Sequence, residues 1–300
     1  MKLLAFLTFL ALPALAADDY QLKMHRPSKP GEKFLEEGKA SFESTMVLKI
    51  NRQQVKVDEM KCSVTFTAES EALVVNKFGK TTKVRVKLQS IAGEFNGKPM
   101  TQLSAGDELI LETAKPPARK SLQINGQPAS DEQAKIADVF LTVAPEDSEA
   151  NDDEIFGTTK RIKPGDEWPV NAAKAIEDAG RWGIPKLKQE DLGGKTKFID
   201  VEQAGSLSCL HLAAEMNLHG SGMPFPGMPE GVTVQQLNVR AGFEGNFPVD
   251  PTITYNPASK LMMVMSMKAG GVVKQRGKDL EIDVSAETKG ARQVTVKPLK

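Results

Sequence analysis

Residues Lys160–Val170 read K-R-I-K-P-G-D-E-W-P-V, and Arg26–Phe34 reads R-P-S-K-P-G-E-K-F. The two share one frame: a basic residue, two residues, Lys-Pro-Gly, an acid, one residue, an aromatic ring. Proline fixes φ and lacks a donor, so Pro30 and Pro164 cannot sit inside a central strand ladder. Gly31 and Gly165 can take positive φ, so each Pro-Gly pair suits the centre of a type II turn. Each turn is expected to deliver a ring, Phe34 or Trp168, to a core; Pro169 biases Trp168 towards extended backbone. An exposed Trp168 binding platform is the functional alternative, but a ring beside a turn is more often packed. The echo divides the chain into two comparable halves.

Working outward, the period of the apolar residues is two. Phe42, Met46, Leu48 and Ile50 share one face, as do Met60, Cys62, Val64, Phe66 and Ala68, the pattern of half-buried strands. Leu73–Asn76 and Val84–Leu88 flank a turn at Phe78-Gly79. Leu109–Leu111 follows, and Leu122 and Ile124 lead into the turn signal Asn125-Gly126. Ser130 followed by Gln133 predicts a capping box and a helix towards Leu141. A second helix is expected over Asn171–Arg181, stopped by Gly183-Ile184-Pro185. Lys195–Glu202 and Leu207–Leu218 bracket a turn at Ala204-Gly205. Leu237–Phe243, Leu261–Met267, Leu280–Ala286 and Val294–Val296 complete a meander. The fold class is therefore mostly β, with two short helices and two related antiparallel β lobes, each readable as a curved half-barrel-like sheet. The segment 17–33 is polar and proline-bearing, and is expected to be loosely held. The domain boundaries are a signal peptide 1–16, an N-terminal lobe 17–144, an acidic linker 145–156 and a C-terminal lobe 157–300.

Lys2, the apolar run Leu3–Leu12 and Ala14-Leu15-Ala16 form a secretory signal with cleavage after Ala16. No later stretch is apolar enough for a transmembrane segment. The expected location is periplasmic or extracellular. The chain carries 39 basic and 39 acidic residues, which offers no basic field for nucleic acid. Cys62 and Cys209 are compatible with one disulfide in an oxidising compartment or with two buried thiols.

The sequence assigns no catalytic, cofactor-binding or metal-ligating residue. His211 and His219 lie eight apart on one strand, roughly 26 Å when straight, and His211 and Glu215 about 13 Å, so neither pair shares a ligand directly. His25, His211 and His219 read as surface histidines. Gly220-Ser221-Gly222 lacks the spacing of a nucleophile elbow. The acidic run 145–154 lacks calcium-loop spacing and reads as a hydrated connection. Met263, Met265 and Met267 fall on one strand face, with Met262, Met223 and Met228 within reach. Core packing, an adaptable apolar groove and a Cu(I) site are the three readings, in that order.

Asp152-Asp153-Glu154-Ile155-Phe156-Gly157, followed by Lys163–Val170 and the closing Val294–Leu299, resembles a pattern of uncharacterised exported bacterial β-rich proteins. The resemblance implies an exported, two-lobed β architecture and no site residues. The expected function is a non-enzymatic exported binding or envelope-associated module, its partner a protein or an apolar ligand. The alternatives are a carrier holding an apolar ligand, lipid or lipoprotein-like, between a curved sheet and the loop Gly220–Gly231 (Met223, Phe225, Met228), and a hydrolase with a carboxylate site.

Overall fold

Alternating apolar and polar residues drive this chain into strands well beyond the usual five or six residues. The computed structural model describes residues 19–114, 120–149, 151–181, 187–223, 230–275 and 278–299. The segment 1–16 expected to be a signal peptide, the helix stop expected at 183–185, and Phe225 and Met228 lie outside them. The first half forms β1 (Lys33–Ile50), β2 (Gln53–Val75), β3 (Thr81–Phe95), β4 (Lys98–Pro99), β5 (Glu108–Thr113), β6 (Lys120–Ile124), β7 (Gln127–Pro128) and helix α1 (Asp131–Phe140). The second forms α2 (Asp152–Phe156), β8 (Glu167–Pro169), α3 (Ala172–Arg181), β9 (Leu192–Ala204), β10 (Leu207–Gly220), β11 (Val232–Pro248), β12 (Ala258–Gln275) and β13 (Lys278–Pro298).

The halves do not make separate sheets. All pair into one open, antiparallel 13-stranded sheet, ordered β7-β6-β5-β3-β2-β1-β13-β12-β11-β10-β9-β8, with β4 beside β3. The first and last long strands meet at its middle, from Phe34 opposite Pro298 to Ile50 opposite Ile282. Leu280–Ala286 and Val294–Val296 are thus two parts of one strand.

The two Pro-Gly turns are built alike. Glu32 N–H donates to Lys29 O at 3.2 Å and Asp166 N–H to Lys163 O at 3.0 Å, with Gly31 at φ +83° and Gly165 at +94°. Each acid reaches back to the first residue of its own turn: Lys29 N–H donates to Glu32 Oε2 at 2.9 Å, and Lys163 N–H to Asp166 Oδ2 at 2.8 Å. Each turn also docks on a strand through the same pair of bonds. Gly31 donates to Ala72 O and Ala72 to Glu32 O; Gly165 donates to Phe198 O and Phe198 to Asp166 O. Ala72 and Phe198 therefore hold equivalent places, and the β2–β3 hairpin corresponds to β9–β10. Trp168 is anchored, its Nε1–H donating to Phe156 O at 2.7 Å.

One sheet face carries the core. Cys62, Val64, Phe66 and Ala68 of β2 are buried together with Ile136, Ala137 and Phe140 of α1. The Phe66 and Phe140 rings lie 4.9 Å apart. Ser130 caps α1 with the reciprocal Gln133 bond expected from the sequence. At the other end, Leu218, Val234 and Met267 pack with Val170 and Ala175.

Two segments read as loose or hydrated are docked instead. Tyr20 pairs with Ile162, and Leu22 and Met24 bury themselves against Phe198, Leu210 and Phe247. Apolar side chains at alternate positions in an otherwise polar stretch suffice for this. The acidic run also folds. Ser148 is buried, and Asn151 and Glu154 form a capping box that starts a third helix, α2. Asp153 accepts the backbone N–H groups of Met24 and His25, tying the leading segment to α2.

Candidate functional site

Pairing β1 with β13 creates a surface on the face opposite the core. Two rows of residues cross it at right angles to the strands. One runs Lys260, Gln293, Lys39, Thr65, Ala92; the other Met262, Ala291, Ser41, Ser63. Most of these side chains are small, so the surface sinks into a trough of about 480 Å³. That volume falls in the range of small-molecule sites. Its rim carries apolar surface in Met262 of β12, which is close to half exposed. The cations of the lining are Lys39, Lys260 and Arg292, and it contains no carboxylate. Lys260 lies 3.6 Å from Glu244, while Lys39 makes no ion pair among the described residues. Arg292 points through to the core side, where it pairs with Glu36 at 3.6 Å.

The methionine stripe falls on the other face. Met267 is buried, Met265 packs beside it, and Met223 joins the same cluster, while Met262 faces the trough. The packing reading thus holds for Met223, Met265 and Met267.

The cysteines do not bridge. Both are free and buried, Cys62 on β2 and Cys209 on β10. Five strand steps separate them, about 24 Å at ~4.8 Å per step, against a disulfide reach below roughly 7 Å. Burial raises both thiols above the usual cysteine range; Glu202 adds to the shift at Cys209 and Arg26 opposes it.

The three histidines have different surroundings. His25 Nε2 is 3.1 Å from Phe78 O, and His219 Nδ1 is 2.8 Å from Asn238 Oδ1. His211 has no contact with Glu215, which instead faces Arg240. It meets acids from both neighbouring strands, with Asp200 directly opposite on β9 and Glu244 reaching in from β11. Strand parity along β10 excluded Glu215 but said nothing about these cross-strand neighbours. The Ala204-Gly205 hairpin carried the missing signal, because counting outward from the Ala204–Leu207 pair places Asp200 opposite His211.

Asp152, the first residue of α2, is exposed. The protein packed around it nonetheless raises its carboxyl above the usual range, and nearby His25 and Lys80 oppose that shift. Arg26 is the buried cation of this region. Its Nη1 donates to Asp250 O at 3.1 Å and Ile253 O at 3.0 Å, and its Nη2 to Lys23 O and Pro248 O.

Fold and surfaces together define an open antiparallel β protein with a trough across its central strands. No helix among the described residues is long and apolar enough to cross a membrane. No family model and no curated protein matches the chain. Among solved structures, the comparison reaches the P. putida toluene transporter TodX, 6% identical, covering 90% of this chain and 91% of that one at a TM-score of 0.15. A score of that size carries no argument about fold or function.

Proposed function

We propose that this is an exported, non-enzymatic binding module that holds an apolar chain with an anionic end in the trough over β12, β13, β1 and β2. The observation that carries the reading is the lining itself. Small side chains open the space, Met262 and Ala291 supply apolar contact, and Lys39 and Lys260 supply charge with no acid in the lining. Long stems let the two lysines cover apolar surface while their ammonium groups stay in water. Export rests on the N-terminal signal pattern and on the resemblance to exported β-rich proteins.

The test is titration of the mature chain with a fluorescent fatty acid. Saturable binding of one molecule per chain is expected. Ser41→Trp should fill the trough and abolish binding while leaving the urea midpoint near that of the parent, and Lys39→Glu should weaken binding of the carboxylate probe. Absence of saturable binding, or a Ser41→Trp protein that binds as the parent does, would overturn the reading.

A further inference from the structure

We infer that Asp200, Glu202 and His211 form a binding site for a borderline divalent metal ion of the Zn²⁺ class, with Glu244 orienting the histidine. The ligand atoms lie outside the trough, and the two places meet where Lys260 of the trough reaches Glu244.

The imidazole carries the argument. His211 Nε2 lies 3.0 Å from Glu244 Oε1 on β11. With its proton on Nε2 directed at that carboxylate, the Nδ1 lone pair faces β9. There Asp200 Oδ1 is 3.3 Å away and Glu202 Oε2 3.8 Å. A carboxylate behind a histidine, fixing tautomer and ring plane, is the arrangement that metal-ligating histidines adopt.

Distances agree. Zinc bonds of about 2.0–2.2 Å in tetrahedral geometry separate neighbouring ligand atoms by about 3.4 Å. The three ligand atoms here all lie within 4.8 Å of one another. Asp200 and Glu202 are largely exposed and His211 is mostly covered. A rigid nitrogen thus faces two carboxylates free to close by the remaining ångström. Their solvent side leaves room for water in the open coordination position.

Charge points the same way. Three carboxylates converge on His211, and the lysine in contact with them is Lys260, 3.6 Å from Glu244. With a neutral imidazole the cluster keeps an excess of two negative charges, which a dication balances. One nitrogen and two oxygens favour Zn²⁺ or a similar first-row dication over Mg²⁺ or Ca²⁺, which prefer all-oxygen shells, and over Cu(I), which prefers sulfur. Cys209, buried on the same strand, is not among the side chains whose ligand atoms converge there. The competing arrangement is an imidazolium donating to Glu244 and Asp200 with no metal, and the two differ in whether Zn²⁺ binds.

The test is isothermal titration of the chelator-treated mature chain with ZnCl₂. One Zn²⁺ per chain is expected, uncompeted by equimolar Mg²⁺. His211→Gln and Asp200→Asn should each weaken binding at least tenfold. Glu244→Gln should weaken it roughly ten- to a hundredfold, the range found when an outer partner of a metal-bound histidine is lost. Glu215→Gln, on the same strand outside the cluster, should bind as the parent does. All four substitutions are at partly or largely exposed positions, and matching urea midpoints will show that the fold is kept. No saturable Zn²⁺ uptake, or uptake unchanged in both His211→Gln and Asp200→Asn, overturns the proposal.

Discussion

Replacing Arg26 with methionine removes a guanidinium that fastens the leading segment to the turn after β11. The side chain donates four bonds, all to backbone carbonyls: Lys23 O, Pro248 O, Asp250 O and Ile253 O. Charge-assisted bonds contribute roughly 1.5–3 kcal/mol each, or about 6–12 kcal/mol for four taken singly. Against that stands the cost of burying the cation, several kcal/mol. Burial is the main cause pulling the guanidinium below its ordinary pKa, with Asp153 and Asp250 opposing it. Its Nε is also buried without a partner. Methionine keeps much of the stem volume and removes both the charge and its cost. The freed carbonyls regain water only in part, because Pro248 is itself buried. The net loss is about 3–4 kcal/mol, equivalent to roughly 5–7 °C in midpoint for a chain of this size. The assay is urea and thermal unfolding of the parent, Arg26→Met and Arg26→Lys. Lysine keeps the charge but cannot span four acceptors, and should recover less than half the loss. A decrease below about 1 kcal/mol in Arg26→Met would refute the reasoning. Adding Asp153→Asn should give a non-additive cycle of at least about 0.5 kcal/mol, since Asp153 both attracts the guanidinium and holds the neighbouring backbone.

Gly93→Ala should destabilise the chain by about 1–3 kcal/mol in urea unfolding or more, because a Cβ there would lie 1.9 Å from the Ser63 carbonyl oxygen of the paired strand. Native Cys62 and Cys209 should resist Ellman's reagent at pH 8, and two thiols should titrate on denaturation, as free, buried cysteines require; one or none after unfolding would contradict the separation of β2 and β10. Asp250 is held below the usual carboxylate range by the Thr252 N–H and hydroxyl, 2.8 and 2.7 Å away. A lowered carboxyl contributes stability above its unfolded value, and that contribution is lost as pH falls through the folded value. Asp250→Asn should therefore lower the urea midpoint at pH 7, and the gap to the parent should narrow below about pH 4; a gap independent of pH would count against the assignment.

What the sequence encodes locally is legible, and what depends on distant pairing is not. The Pro-Gly frame predicted both turns because φ and hydrogen-bonding capacity are properties of the residues themselves. Period-two alternation likewise located β1, β2, β10 and β11, and the capping pair located the start of α1. The joining of the halves escaped, because no local pattern states that β1 pairs with β13 across almost the whole chain. Each strand simply alternates, and either half would present an open edge if left alone. An unpaired edge is a template for another strand, and pairing the two removes both edges at the middle of the sheet. The same step makes the trough, whose walls come from β2 and β1 on one side and β13 and β12 on the other. Neither half holds it alone, so no reading of Ser41 or Ala291 within its own strand would mark them. The His211 cluster lies between these limits. Its Asp200 contact follows from a hairpin register that can be counted from Gly205, whereas Glu244 arrives from β11, beyond the segment 221–231, where counting has no fixed starting point. A cluster whose orienting carboxylate comes from the third strand becomes visible only once the sheet order is known.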